Sequence, residues 1–203
     1  MMLRDLRRSY QNVRNIFGRY WRAYGRWAAI LTSPYLHASI VLTLILSHLW
    51  IRGGWWSDAI AALPTMVGFA IGAYAIVLGF GDERFRAVIM QRRNGDTSPY
   101  VKISASLAHF IVVQIAALLA AVIAKGMSFG LSTRKGLGAL IFAIFGNVDF
   151  VHDWIAPGGH FIGFVLFIYA IATAMATTMA IFRLTTLVER DEPPSNGGTS
   201  DRH

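Results

Sequence analysis

Four stretches without a single Asp, Glu, Lys or Arg, residues 28–51, 59–81, 103–124 and 161–182, constrain this chain more than any other feature. At about 1.5 Å per residue a helix over any of them crosses a hydrocarbon core of about 30 Å. Backbone groups left unpaired in lipid are costly, so such segments are expected as helices. The pattern predicts an all-α integral membrane protein, a four-transmembrane-helix bundle spanning 28–185. It is preceded by a basic segment (1–27) and followed by a polar tail (186–203) expected to be disordered. Of the residues, 55% are hydrophobic and 15% charged, with the charge gathered at the ends and connections. That is not a soluble globular profile. The absence of cysteine excludes disulfides, thiolate metal sites and thiol redox chemistry. The first apolar run is too long for a signal-peptide core, so the N-terminal segment is expected to stay attached.

Orientation follows from the 19 Lys and Arg. Seven precede the first run, Arg4, Arg7, Arg8, Arg14, Arg19, Arg22 and Arg26; Arg84, Arg86, Arg92, Arg93 and Lys102 lie between the second and third; Arg183, Arg190 and Arg202 follow the fourth. Only Arg52, Lys125, Arg134 and Lys135 fall on the other side. The positive-inside rule places both termini in the cytoplasm of a bacterial inner-membrane, multi-pass protein. Trp50, Trp55, Trp56 and Trp154 then fall near the outer interface, and Tyr20, Trp21, Tyr24, Trp27 and Tyr100 near the inner one, as aromatic anchors would.

The basic segment carries its own pattern. Leu3, Leu6, Tyr10, Val13, Phe17, Tyr20, Tyr24 and Trp27 recur at three- and four-residue spacing among arginines, which predicts an amphipathic helix. It is expected on the inner leaflet, with Arg7, Arg14 and Arg22 among anionic headgroups, or packed against a cytoplasmic protein partner. No nucleic-acid partner is implied, because charge beside a span is explained by topology. A second charged segment, with Asp82, Glu83, Arg84 and Arg86, is expected to extend a cytoplasmic helix past the second span and to turn back at Asn94-Gly95. Residues 137–145, apolar but too short to span, predict an interfacial or re-entrant helix.

Inside the spans two patterns stand out. Gly68, Gly72, Ala75 and Gly79 form a small-residue ladder suited to close packing, within the bundle or between copies in a homo-oligomer. The polar inventory is short: His37, Ser39, Thr43, Ser47 and His48, then Ser104, Ser106, His109 and Gln114, then Thr173, Thr177 and Thr178. His109, Gln114, Thr173 and Thr177 are the candidate intramembrane polar site, because such groups face the bundle or a watery cavity rather than lipid. No carboxylate sits in a span, no nucleophile turn or three-part catalytic set is visible, and no phosphate-binding loop appears. His152, Asp153 and His160 give only a weak metal spacing, so no cofactor or metal is expected.

Residues 64–85 (PTMVGFAIGAYAIVLGFGDERF) and 109–114 (HFIVVQ) resemble a family of small, uncharacterised bacterial four-span membrane proteins; the resemblance covers the four-span core and excludes the tail. In size, span number and cytoplasmic basic segments alone, the chain is also similar to the four-span membrane subunit of the Kiwa antiphage system. That second resemblance implies a partnered role in defence. The expected function is a non-enzymatic membrane scaffold, sensor or effector subunit, oligomeric and working with a cytoplasmic partner. The alternative is an ion channel or small-solute transporter lined by the polar residues of spans three and four.

Overall fold

A computed structural model describes residues 2–79, 98–127 and 156–191, and among these every regular element is a helix. Helix α1 covers Met2–Tyr24, α2 Arg26–Leu31, α3 Pro34–Ile45, α4 Ser47–Ile51, α5 Trp55–Gly79, α6 Pro99–Met127 and α7 Ala156–Asp191. Three of them, α5, α6 and α7, are long and apolar enough to cross a membrane. The expected cytoplasmic helix around Asp82, Glu83, Arg84 and Arg86, the short apolar segment 137–145 and Trp154 lie outside the described residues.

The run 28–51 is not one continuous helix. Proline disfavours helical geometry in the residue before it, and Ser33 is accordingly extended (φ −71°, ψ 122°) with Pro34 opening α3. Hydropathy alone conceals this break. A milder one occurs at Leu46 (φ −87°, ψ 23°), where the amide of Leu46 still donates to the carbonyl of Leu42 at 2.9 Å. The chain therefore continues from Pro34 to Ile51 as a kinked rod about 27 Å long. At the other end of the molecule α7 reaches Asp191, beyond the end expected for the fourth span, so 186–191 are helical; 192–203 lie outside the described residues.

Two corners set the arrangement. Between α1 and α2, Gly25 (φ 110°) and Arg26 (φ 61°) are both left-handed, which lets α1 fold back against the bundle. Between α4 and α5, Gly53 and Gly54 (φ 78° and 92°) reverse the chain in a backbone conformation that residues with side chains rarely adopt.

Helix α6 packs against α5 on one side and α7 on the other; α3 and α4 lie on α7, and α1 lies on α6. The core joins Ala59 and Leu63 of α5 to Val113, Ala117 and Ala121 of α6 and to Phe164, Phe167 and Ala170 of α7. Small residues on α6 allow this close approach, and the Tyr74 hydroxyl lies 3.0 Å from Ser104 Oγ to tie α5 to α6. Trp55 is only 2% exposed, with its ring 6.0 Å from Phe164 and 6.5 Å from Phe167. It is thus a core residue rather than a lipid-facing anchor. Its partner is Gly163, whose missing side chain makes room for the indole: a Cβ there would stand 2.6 Å from Trp55 Cζ2.

The small-residue ladder of α5 faces away from this core. Gly68, Gly72, Ala75 and Gly79 are exposed, and a Cβ added at any of the three glycines would meet nothing within 4 Å among the described residues. Four-residue spacing shows that a helix has a smooth face; it does not show which way the face points.

Candidate functional site

All four candidate intramembrane residues are buried, and the structure divides them into two settings. His109, on α6, is 4% exposed and becomes the centre of a clasp between three helices. The hydroxyl of Tyr20, from α1, lies 2.7 Å from His109 Nδ1, and Nε2 lies 3.4 Å from the hydroxyl of Tyr169 on α7. Tyr24 stacks on the imidazole with ring centroids 3.7 Å apart and an interplanar angle of 18°. With Tyr20 donating to Nδ1, the imidazole carries its proton on Nε2 and donates to Tyr169, a self-consistent assignment of the protons.

The helix geometry explains why these side chains meet. Tyr20 and Tyr24 are one turn apart on a single face of α1, and the left-handed corner at Gly25 and Arg26 follows immediately. Their burial has an electrostatic consequence. Loss of water around Tyr20, with Tyr169 nearby, pushes its hydroxyl from 10.0 up to about 12, and burial raises Tyr24 as well. Both phenols therefore stay protonated and available as donors at neutral pH.

Beside the clasp lies a cavity of about 410 Å³. Tyr24 and Thr32 close it from the α1–α2 side, Ser33 and Tyr35 from the start of α3, Ser106, His109 and Phe110 from α6, and Thr173 and Thr177 from α7. Among the described residues no Asp, Glu, Lys or Arg lines it. Thr32 Oγ1 donates to Ala28 O at 2.7 Å, Ser106 Oγ to Lys102 O at 3.0 Å and Thr173 Oγ1 to Ala170 O at 3.0 Å. These hydroxyls spend their protons on their own helices, so they remain acceptors.

Gln114 is separate from the clasp. It is 0% exposed near the middle of α6, and neither Nε2 nor Oε1 has a hydrogen-bond partner among the described residues. Thr43 Oγ1 on α3 is in the same condition, also at 0% exposure. An unmet buried donor or acceptor costs about 1–3 kcal/mol, so two such residues weigh against a purely structural role.

On α1, Arg7, Arg14 and Arg22 are all exposed, as are Leu6, Tyr10, Val13 and Phe17. The apolar stripe read from the sequence is therefore divided: Tyr20 and Tyr24 are half-buried against α6, while Leu6, Tyr10, Val13 and Phe17 before them and Trp27 after them are exposed. Among the described residues no group of three or more His, Asp or Glu side chains is placed to hold a metal ion. His152 and Asp153 lie outside the described residues, and His160 packs with Trp56 at 5.5 Å and approaches Trp55 Nε1 at 3.4 Å. Sequence reading missed Tyr169. Its signal was the spacing Tyr169, Thr173, Thr177, which puts one phenol and two hydroxyls on one line of α7.

The described residues thus define an all-α protein in which three helices are long and apolar enough to cross a membrane, with a buried His–Tyr clasp joining α1, α6 and α7 and a hydroxyl-lined cavity beside it. Compared with protein-family models, curated proteins and solved structures, the chain matches none.

Proposed function

We propose that the chain is a non-enzymatic subunit of a bacterial inner membrane, a sensor or effector that works as an oligomer with a cytoplasmic partner. The observation that carries this reading is the divided stripe of α1. Tyr20 and Tyr24 are fixed to α6, while Leu6, Tyr10, Val13 and Phe17 stay exposed beside Arg7, Arg14 and Arg22. An apolar line flanked by arginines is the profile of an amphipathic helix bedded in an anionic leaflet. The kinked rod from Pro34 to Ile51 serves as the fourth span, with both termini cytoplasmic. Copies assemble through the outward ladder Gly68, Gly72, Ala75 and Gly79, and the charged segment with Asp82, Glu83, Arg84 and Arg86 meets the partner. The architectural likeness to the Kiwa membrane subunit supports placing that role in antiphage defence. Mild detergent extraction followed by native mass analysis is expected to give an oligomer with a co-purifying soluble protein; a partner-free monomer overturns the reading.

The cavity beside His109 favours one alternative, a channel or small-solute transporter lined by His109, Gln114, Thr173 and Thr177. Ion or solute flux into reconstituted liposomes, lost in His109→Ala, would support it. Liposomes as tight as protein-free ones refute it.

A further inference from the structure

The hydroxyls that line the cavity fall into two sets. Those of Thr32, Ser106 and Thr173 donate to carbonyls of their own helices, whereas those of Ser33, Tyr35 and Thr177 make no hydrogen bond among the described residues. Thr177 is the clearest case, being only 8% exposed. Its neighbours on α7, Thr173 and Thr178, donate back to their own helix at 3.0 Å and 3.1 Å, and Thr177 does not. Ser33 is left over in a similar way. It stands at the N-cap of α3, where a serine hydroxyl ordinarily takes an amide of the first turn, yet it makes no such bond. Only its carbonyl is used, by the amides of Leu36 and His37 at 3.1 Å and 3.2 Å. The helices that carry the three free hydroxyls, α3 and α7, pack on each other, and one cavity receives all three side chains. His109 adds no fourth donor, because both its ring nitrogens are engaged in the clasp.

We propose that the cavity binds the head of an isoprenoid quinone, a flat uncharged ring whose carbonyl oxygens accept the free protons of Ser33, Tyr35 and Thr177. A quinone oxygen accepts and has no proton to give, so it complements hydroxyls that lack an acceptor and needs nothing from Thr32, Ser106 or Thr173. Tyr24 and Phe110 add aromatic surface to the lining, against which a planar head packs. Among the described residues no charged side chain lines the cavity, so a carboxylate or phosphate would give up its hydration without a counter-ion. The volume of about 410 Å³ lies in the range of small-molecule pockets. The isoprenoid tail has a way out as well. Among the described residues α3 and α6 both pack on α7 but not closely on each other, so the cavity they share occupies a gap between helices. A chain leaving through that gap passes sideways into lipid. The inference requires a membrane around these helices but neither an oligomer, a cytoplasmic partner nor solute flux, so it stands or falls apart from the proposed function.

The test is calorimetric titration of the full chain, purified in detergent, with decylubiquinone, each heat corrected for partition into protein-free micelles. Saturable binding is expected. Methyl decanoate keeps a carbonyl and a chain but no ring, decanoate adds a charge, and both should bind about tenfold more weakly or worse. Ser33→Ala, Tyr35→Phe and Thr177→Val each remove a hydroxyl that has no partner in the protein, so the variants should melt with the wild type. Each should weaken decylubiquinone binding about fivefold, the effect of one lost hydrogen bond. The proposal is overturned by heats no different from those of micelles alone, or by decylubiquinone affinity that all three variants leave unchanged. Equal binding of methyl decanoate makes the site one for lipid esters, and tighter binding of decanoate makes it one for fatty acids; either result overturns the quinone assignment. If one variant fails to fold, the other two and the wild-type comparison of the three ligands still decide.

Discussion

Replacing Gly163 by alanine adds one methyl group where the structure leaves no space for it. The new Cβ would stand 2.6 Å from Trp55 Cζ2, 2.7 Å from Cη2 and 3.9 Å from Ala120 Cβ. Trp55 cannot swing aside, because it is 2% exposed and packed between Phe164 and Phe167. Overpacking a close-fitted core costs about 1–3 kcal/mol. For a chain of this size each kcal/mol shifts the melting temperature by about 2–4 °C, so Gly163→Ala should lower it by about 2–12 °C. The assay is thermal unfolding of the detergent-solubilised protein, with Gly68→Ala as the control. That glycine meets nothing within 4 Å among the described residues, so its variant should melt no lower than the wild type. Trp55→Phe removes the two colliding carbons, and the double variant should recover part of the Gly163→Ala loss, a coupling of about 0.5–3 kcal/mol. A Gly163→Ala protein that melts with the wild type, or a double variant whose losses simply add, would refute the packing argument.

Other expectations test the clasp and the two outer surfaces. Tyr20→Phe leaves His109 Nδ1 buried without its donor and should cost about 1–3 kcal/mol, read as faster proteolysis of α1. The Tyr20 hydroxyl titrates higher in the folded protein than its ordinary 10.0, so its share of α1 docking is complete below pH 10. That share is lost as pH climbs towards about 12, and α1 proteolysis in that window should rise more steeply in the wild type than in Tyr20→Phe. Replacing Arg7, Arg14 and Arg22 together by Gln should weaken binding of a peptide covering residues 1–24 to phosphatidylserine vesicles by about 1 kcal/mol per arginine and flatten its salt dependence. Equal binding to neutral vesicles would count against headgroup attraction. Gly72→Ile should leave the monomer folded while lowering the oligomer fraction in native mass analysis; an unchanged oligomer fraction removes α5 from the interface.

Much of the helical plan is legible in the sequence, because a long run without charge has few alternatives. The Ser33-Pro34 break was legible too, through the restriction that proline places on its predecessor, yet an average over twenty apolar residues hides one dihedral. His109, Gln114, Thr173 and Thr177 could be picked out as buried because polar groups in such runs avoid lipid. Their division between the clasp with its cavity and the orphaned Gln114 could not, since it depends on which helix faces which. Tyr20 and Tyr24 read as interfacial anchors from their place beside a span, and no local pattern links them to an imidazole 89 residues further on. Gly163 carried no signal either, because its constraint comes from a ring on another helix.

That separation of 89 residues bears on how the protein is made. At a synthesis rate of about 5–20 residues per second, α1 leaves the ribosome roughly 4–18 s before His109 exists to receive it. Throughout that interval the whole tyrosine-bearing face of the first helix lacks its permanent seat. The clasp closes only when α6 has been delivered and α7 brings Tyr169 to the other side of the ring, so its formation marks the completion of assembly. A chain truncated before α6 should expose the same tyrosines to quality-control proteases that the finished protein conceals.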